Sequence, residues 1–312
     1  MKLCKLLLFA LVVAAITPAS GLAQNKRSCT RDGLKRMADL YVAAQTKGDI
    51  SGMPLASSNQ YMENMVVIDI NKGIIKKPLK IDFHRSIYDE SNCQTFTEVI
   101  VTNKAEPYVI GARLRVISDK IVEFETIWTT TGHWLFNAEN YLKYSSAEKW
   151  DEIPVTRRDT HQSLLYAANS YLDAFLEGDP DIVPWGTPCV RIEGGAYTEP
   201  GGETPNSHCA ALPGDPTKIG MPSGVNIANR RYVIDESIGA ILVLCTFGTS
   251  TPGGGSGSAD SHLFRMENGK PRYVHTLTHL LQSDFQGSTT NVPKEGGAKP
   301  KDGSGKPKAK PQ

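Results

Sequence analysis

Beyond its opening residues the 312-residue chain contains no long hydrophobic run, no excess of charge of either sign, no Cys-x-x-Cys pair and no Asn-x-[Ser/Thr] site. Each lack removes a class of behaviour. A membrane-spanning helix needs about 20 consecutive apolar residues, and no segment after residue 23 approaches that length. With 34 lysines and arginines against 33 acidic residues, the net charge of +1 sets up no field that would recruit nucleic acid or an anionic membrane. Thiol redox chemistry lacks its paired cysteines. Nucleophilic hydrolysis lacks a Gly-x-Ser-x-Gly elbow, and metalloprotease chemistry lacks His-Glu-x-x-His. No glycine-rich loop ends in Gly-Lys-[Ser/Thr], so no phosphate-binding cofactor site is indicated.

What is present begins with an address. Lys2 and Lys5 precede the apolar run LLLFALVVAAI and the small-residue stretch Thr17 to Ala23, the pattern of a secretory signal peptide over residues 1–23. The expected product is an exported chain of about 290 residues, long enough for two domains. Beyond the signal stand Cys29, Cys93, Cys189, Cys209 and Cys245, an odd number that leaves one thiol over. Cys245 lies in AILVLCTF, a strand-like run where a thiol behaves as a small hydrophobe, and is the expected free one. A Cys189–Cys209 bridge would close the Pro/Gly/Asn-rich excursion GGAYTEPGGETPNSH, worth roughly 3 kcal/mol by loop entropy. Cys29 with Cys93 follows by elimination.

The chain is written twice. Leu34, Ala38, Tyr41, Ala44, Gly48, Asp49, Pro54 and Glu63 recur without a gap as Leu164, Ala168, Tyr171, Ala174, Gly178, Asp179, Pro184 and Glu193. The first four repeats in each copy follow a helical stripe, and the glycine then supplies a left-handed helix cap. Downstream, Asp89-Glu90-Ser91 matches Asp235-Glu236-Ser237, each before a β-rich run. GARLRVISDKIVEFETIWT then parallels SHLFRMENGKPRYVHTLTH, and the Asn268-Gly269 pair is a hairpin signal. The second copy carries a Gly/Ser insertion, TPGGGSGSAD, read as a flexible loop. The organisation expected is a first domain over 29–135, a connector over 136–158, a second domain over 159–284 and a disordered Lys/Gly/Pro tail over 285–312.

Helix, Gly-Asp turn, Pro plus apolar residues, then Tyr61-Met62-Glu63 or Arg191-Ile192-Glu193, then strands closing with DKIVEFETIW or GKPRYVHTLT, resembles the nuclear transport factor 2-like superfamily. That superfamily includes ketosteroid isomerase, scytalone dehydratase and polyketide cyclases. The resemblance covers roughly residues 30–130 and 159–281, and is similar in particular to secreted, uncharacterised microbial proteins with two such units. It implies an α+β class with two tandem cone-like domains, each a strongly curved, mostly antiparallel sheet wrapped around an N-terminal helix. It further implies a pocket at the open end of the cone, an intramolecular pseudo-dimer, and in the enzymes acid/base chemistry without metal or cofactor.

Within that frame Glu63 and Glu193 are the sharpest candidates, each either a pocket carboxylate or a tie that holds the first strand. His275 is the third catalytic candidate, as a histidine lining the second pocket. Tyr61, Arg191, Arg113 and Trp185 are candidate ligand contacts, with packing as the alternative for Tyr61 and Trp185. His275 and His279 lie four apart on a strand, about 13 Å, too far to share a metal. His84, His133 and His161 read as surface histidines. The function expected is binding of a small, largely apolar molecule, with a cofactor-free lyase, isomerase or cyclase reaction based on Glu193 or His275. The alternative is a noncatalytic secreted carrier or interaction protein using the loops over 195–226.

Overall fold

A computed structural model describes residues 29–212, 215–219, 223–249 and 257–281. The signal segment, the tail and most of the Gly/Ser insertion lie outside these residues. Three α-helices are described: α1 (Arg31–Lys47), α2 (Ala138–Ser145) and α3 (His161–Glu177). The first and third are equal in length and built alike. A threonine, Thr30 or Thr160, accepts through its side chain from an N–H of the first turn, and a glycine ends each helix, Gly48 at φ 65° or Gly178 at φ 68°. Helix ends require these types, a short hydroxyl for an orphan N–H and a residue without Cβ for the left-handed turn. The repeated stripes Leu34, Ala38, Tyr41, Ala44 and Leu164, Ala168, Tyr171, Ala174 are the buried faces.

The strands of the first half are β1 (Leu55–Glu63), β2 (Val66–Val67), β3 (Phe83–Asp89), β4 (Gln94–Val101), β5 (Tyr108–Ile117) and β6 (Lys120–Thr129). Those of the second are β7 (Val190–Glu193), β8 (Ala196–Tyr197), β9 (Ala211–Leu212), β10 (Asp215–Ile219), β11 (Asn226–Asp235), β12 (Ala240–Thr249), β13 (Ser258–Glu267) and β14 (Lys270–His279). Two six-stranded sheets result, ordered β3-β4-β5-β6-β1-β2 and β11-β12-β13-β14-β7-β8, while β9 and β10 form a separate ribbon. In each large sheet the first strand runs parallel to the last, β1 beside β6 and β7 beside β14, and the other pairs are antiparallel. The closing hairpins turn at Ser118-Asp119 and Asn268-Gly269, all four residues at positive φ, as two-residue turns between twisted strands require. The fold is therefore a mixed α+β one with the same sheet connectivity twice.

Both faces of each sheet are covered. Leu34 and Tyr41 of α1 pack with Val99, Ile110, Ala112 and Phe124 on one face of the first sheet. Leu164, Tyr171 and Phe175 of α3 pack with Ile241, Val243, Phe264 and Val274 on one face of the second. The two remaining faces meet in a third core that joins Ile87, Phe96 and Ile127 to Ile192, Leu242, Leu263 and Leu277, with Tyr141 of α2 wedged in. This explains why β4 is buried at every position and why AILVL lacks polar alternation: successive side chains enter different cores.

At the seam of the third core the repeated aspartates exchange bonds. Asp235 Oδ2 accepts the Tyr88 N–H at 3.0 Å, and Asp89 Oδ2 accepts the Ile234 N–H at 3.1 Å. Such i-to-j and j-to-i reciprocity is what a two-fold contact produces. Asp235 also binds Arg31 at 2.8 Å, so α1 is tied to the second half. Both expected cystines are present, Cys29–Cys93 and Cys189–Cys209, and Cys245 is free and buried. The connector proves to be structural, since it contains α2.

Asp235→Ala strips the Tyr88 N–H and the partly buried Arg31 of their shared, buried acceptor, and is expected to lower stability by about 1–3 kcal/mol. Breaking the exposed Lys35–Asp39 pair with Lys35→Ala should leave the urea midpoint almost unchanged, because solvent already satisfies both groups. Equal midpoints for the two variants would refute the seam's importance.

Candidate functional site

The repeated glutamates end the strands that run beside β6 and β14, and both are engaged. The Tyr61 hydroxyl and the Ile74 N–H donate to Glu63 Oε1, and Trp128 Nε1 donates to Oε2 at 3.2 Å. Glu193 accepts Trp134 Nε1 at 2.6 Å and pairs with Arg191 at 3.3 Å. In each half, then, an indole N–H is bound, from Trp128 of the same half in the first and from Trp134, at the end of the first half, in the second. Gly194 and Gly195 adopt positive φ (61° and 132°) so that the backbone can lie against Trp134 to Asn137, and Asn137 N–H donates to Gly194 O at 2.8 Å. These bonds tie each glutamate to groups around the end of its own strand.

Arg113 does not reach Glu63. It lies between the sheets, bound to Gln94, Glu123 and Glu125, and Glu125 also receives Arg231 of β11 at 2.8 Å. Trp185 donates to Pro180 O at 2.8 Å and edges onto Tyr171. His133 corrects an expectation: it is 8% exposed rather than on the surface, stacks on His279 at 4.1 Å, and accepts the Leu280 N–H at 3.0 Å.

His275 lies on the inter-sheet face of β14, opposite the face that carries Arg191 and Glu193. Its Nδ1 is 3.1 Å from Glu98 of β4 and its Nε2 2.7 Å from Glu148 of the connector. Tyr141 donates to Glu98 at 2.7 Å, Trp150 to Glu148 at 2.9 Å, and Arg85 is 3.7 Å from Glu98 and 3.9 Å from Glu148. Burial works against an imidazolium here, but Glu148 and Glu98 outweigh it and hold His275 up at about 9. Burial likewise raises Glu98, and the His275 and Arg85 charges with Tyr141 outweigh it, so its carboxyl falls below the usual range. Two carboxylates and two cations thus form a closed ionic knot between the halves. His275 is thereby held through both ring nitrogens, by Glu98 of the first half and by Glu148 of the connector.

The helix face of the second sheet carries a different cluster. Arg191 Nη1 is 3.0 Å from the Tyr171 hydroxyl of α3. Next to it, Cys245 of β12 and Asp260 and His262 of β13 converge: Asp260 Oδ2 lies 3.2 Å from His262 Nδ1, and Cys245 Sγ is 3.7 Å from the same oxygen and 3.8 Å from the same nitrogen. All three are buried. Burial, followed by the Glu193 charge, pushes Asp260 well above the carboxylate range, while burial and then the charges of Arg191 and Arg230 press His262 down to about 3. The register identifies their counterparts. Cys245 pairs with Asp260 and Val243 with His262 as Val99 pairs with Ile110 and Thr97 with Ala112. Where the first half has Val99, Ile110 and Ala112 in its apolar core, the second has a thiol, a carboxyl and an imidazole.

The sequence reading missed this trio. Asp260 was assigned to the Gly/Ser insertion, whereas β13 begins at Ser258. The apolar run AILVLCTF gives no sign that the Cys245 thiol meets Asp260 and His262 of the neighbouring strand. The available signal was Asp-x-His, two residues on one face of a strand, beside a strand bearing an unpaired cysteine.

A surface cleft of about 260 Å³ lies elsewhere, lined by Asp151, Glu152, Ile153, Pro154, Arg265 and Glu267 among others, and none of the nominated residues lines it. A family model described as a domain of unknown function (DUF8021) matches residues 157–278, the half that holds the trio. No curated protein matches the chain. Among the described residues no helix is long and apolar enough to cross a membrane.

The knot sets a pH profile. His275, raised above its unfolded value of about 6.5, contributes fully below that value, and its contribution disappears as pH climbs through about 9. Glu98, lowered, contributes above its unfolded value and loses that contribution as pH falls; His262 and His133, kept neutral, add to the acid-side loss. Stability should peak near about pH 6.5 and decline by a few kcal/mol toward alkaline pH. Urea midpoints across pH 4–10 test this, and His275→Gln should flatten the alkaline limb and, by removing the charge that holds Glu98 down, shrink the Glu98 part of the acid limb as well.

Proposed function

We propose that the protein is a secreted pair of cone-like units of the nuclear transport factor 2-like kind, joined as an internal pseudo-dimer, in which the second unit binds a small, largely apolar molecule. One observation carries the reading: at three equivalent buried positions the first unit keeps Val99, Ile110 and Ala112, and the second has Cys245, Asp260 and His262. The shared sheet connectivity has no need of those polar groups, since one copy is built without them. They bond to one another and to Thr278, yet taking a thiol, a carboxyl and an imidazole out of water costs free energy that the first unit's apolar residues do not incur, which supports a ligand's polar group as the reason for their presence.

In this reading the first unit is a filled partner that covers the second sheet and completes the ionic knot. Tyr171 and Arg191 extend the polar wall of the second unit, and Phe175, Phe264 and Trp185 supply its apolar part. Glu63, Glu193 and His275 serve as ties, which favours a carrier over an acid/base enzyme built on those three residues. The two cystines suit an oxidising compartment and support export.

Thermal-shift and native mass spectrometric screening of small apolar ketones and phenols tests the assignment. One ligand per chain is expected for the natural protein. The triple variant Cys245→Val, Asp260→Ile, His262→Ala gives the second unit the first unit's own residues and should remain folded without binding. Glu193→Gln should lower the melting temperature and leave ligand affinity unchanged. Binding that survives the triple variant would sink the assignment.

A further inference from the structure

The geometry points to Cys245, Asp260 and His262 as the three protein ligands of a zinc ion, with the fourth position left to water or an exogenous ligand. The argument begins with which atoms converge. In a nucleophile–histidine–acid relay the acid and the nucleophile use different ring nitrogens. Here the Asp260 oxygen and the Cys245 sulfur both face Nδ1 of His262, so the trio cannot pass a proton across the ring. One point facing three donors of three kinds is instead a coordination geometry.

The spacing agrees. With zinc bonds of about 2.3 Å to sulfur, 2.0–2.1 Å to nitrogen and 2.0–2.2 Å to oxygen at tetrahedral angles, donor atoms stand about 3.5 Å apart when one is sulfur and about 3.3 Å apart for nitrogen and oxygen. The structure has 3.7 and 3.8 Å for the two sulfur edges and 3.2 Å for the other. The sulfur distances lie toward the long end of thiol hydrogen bonding and are near what a shared metal would impose.

The donor set selects the ion. Thiolate and imidazole disfavour calcium and magnesium, and one thiolate with one carboxylate balances a divalent charge. Three protein ligands with one position open is the arrangement of reactive or ligand-binding zinc sites. The outer contacts fit as well: Thr278 Oγ1 donates to Asp260 Oδ1 at 2.9 Å, which leaves Oδ2 directed at the other two donors. The nearby cation Arg191 is paired with Glu193 at 3.3 Å, so its charge is already matched. The site shares its location with the proposed small-molecule pocket, and an open zinc position there would take a ligand's carboxylate, hydroxyl or carbonyl oxygen.

The test uses the full exported chain with its cystines intact, treated with chelator and titrated with Zn²⁺ or Co²⁺ alone. One ion per chain is expected by native mass spectrometry, together with a rise in melting temperature with zinc and, for cobalt, a thiolate charge-transfer band with the intense ligand-field bands of tetrahedral coordination. Cys245→Ser should abolish the charge-transfer band, and Asp260→Ile or His262→Ala should weaken binding at least about 100-fold. Thr278→Val, which touches only the outer shell, should weaken it by about 10–100-fold. Far-ultraviolet dichroism shows whether each variant is folded, and the conservative Cys245→Ser carries the test if the others are not. Absence of stoichiometric binding, or a charge-transfer band that persists in Cys245→Ser, overturns the site. Small-molecule binding by chelator-treated protein without metal uptake overturns the zinc site alone, whereas metal uptake with no small-molecule binding overturns only the pocket.

Discussion

The inter-sheet contact is the constraint on which the rest of this molecule depends. Each half places one helix on one face of a six-stranded sheet, and that leaves a second apolar face of strand after strand uncovered. A face of that size cannot remain in water, because apolar burial at roughly 25 cal/mol per Å² is the main force favouring the folded state. Each half therefore supplies the missing layer of the other. The reciprocal Asp89 and Asp235 bonds fix the register of that union. The knot of Arg85, Glu98, Glu148 and His275 does the same from inside, with charges that are tolerable in the interior only because they balance.

That constraint reassigns the polar residues. Groups on the inter-sheet face, Arg113, Glu125 and His275 among them, hold two halves together. Groups on the helix face belong to a single unit. The first unit uses its helix face for apolar packing around Tyr41 and Phe124, and the second uses three matching positions for sulfur, oxygen and nitrogen donors. Duplication makes this comparison possible within one chain: one copy reports what the fold requires, and the difference reports what the second copy has added.

Much of the architecture was legible in the sequence, for identifiable reasons. Local rules have local signatures, so Gly48 and Gly178 marked the helix ends, Asn268-Gly269 marked the closing hairpin, and the aspartates of the two Asp-Glu-Ser repeats marked equivalent turns. The cystines followed from one thiol lying in a β run. Which face of a strand meets which core was not legible, because AILVLCTF and SHLFRM are buried on both sides and show no alternation to read. Glu193 and His275, both candidates for the second pocket, thus prove to occupy opposite faces of neighbouring strands. The boundary of the Gly/Ser insertion was placed a few residues late, and that hid Asp260 inside a supposed loop.

The parallel pairing of each opening strand with the last strand of its own half, β1 with β6 and β7 with β14, governs the order of assembly during synthesis. Neither sheet can close until its final hairpin has emerged, so contacts distant along the chain must form late and slowly. The first half can complete its own hydrogen bonding while the second is still being made, yet it then presents a bare hydrophobic sheet to solvent. That surface is exposed until its own second half arrives, which makes the interval between the two halves the stage of folding most open to aggregation.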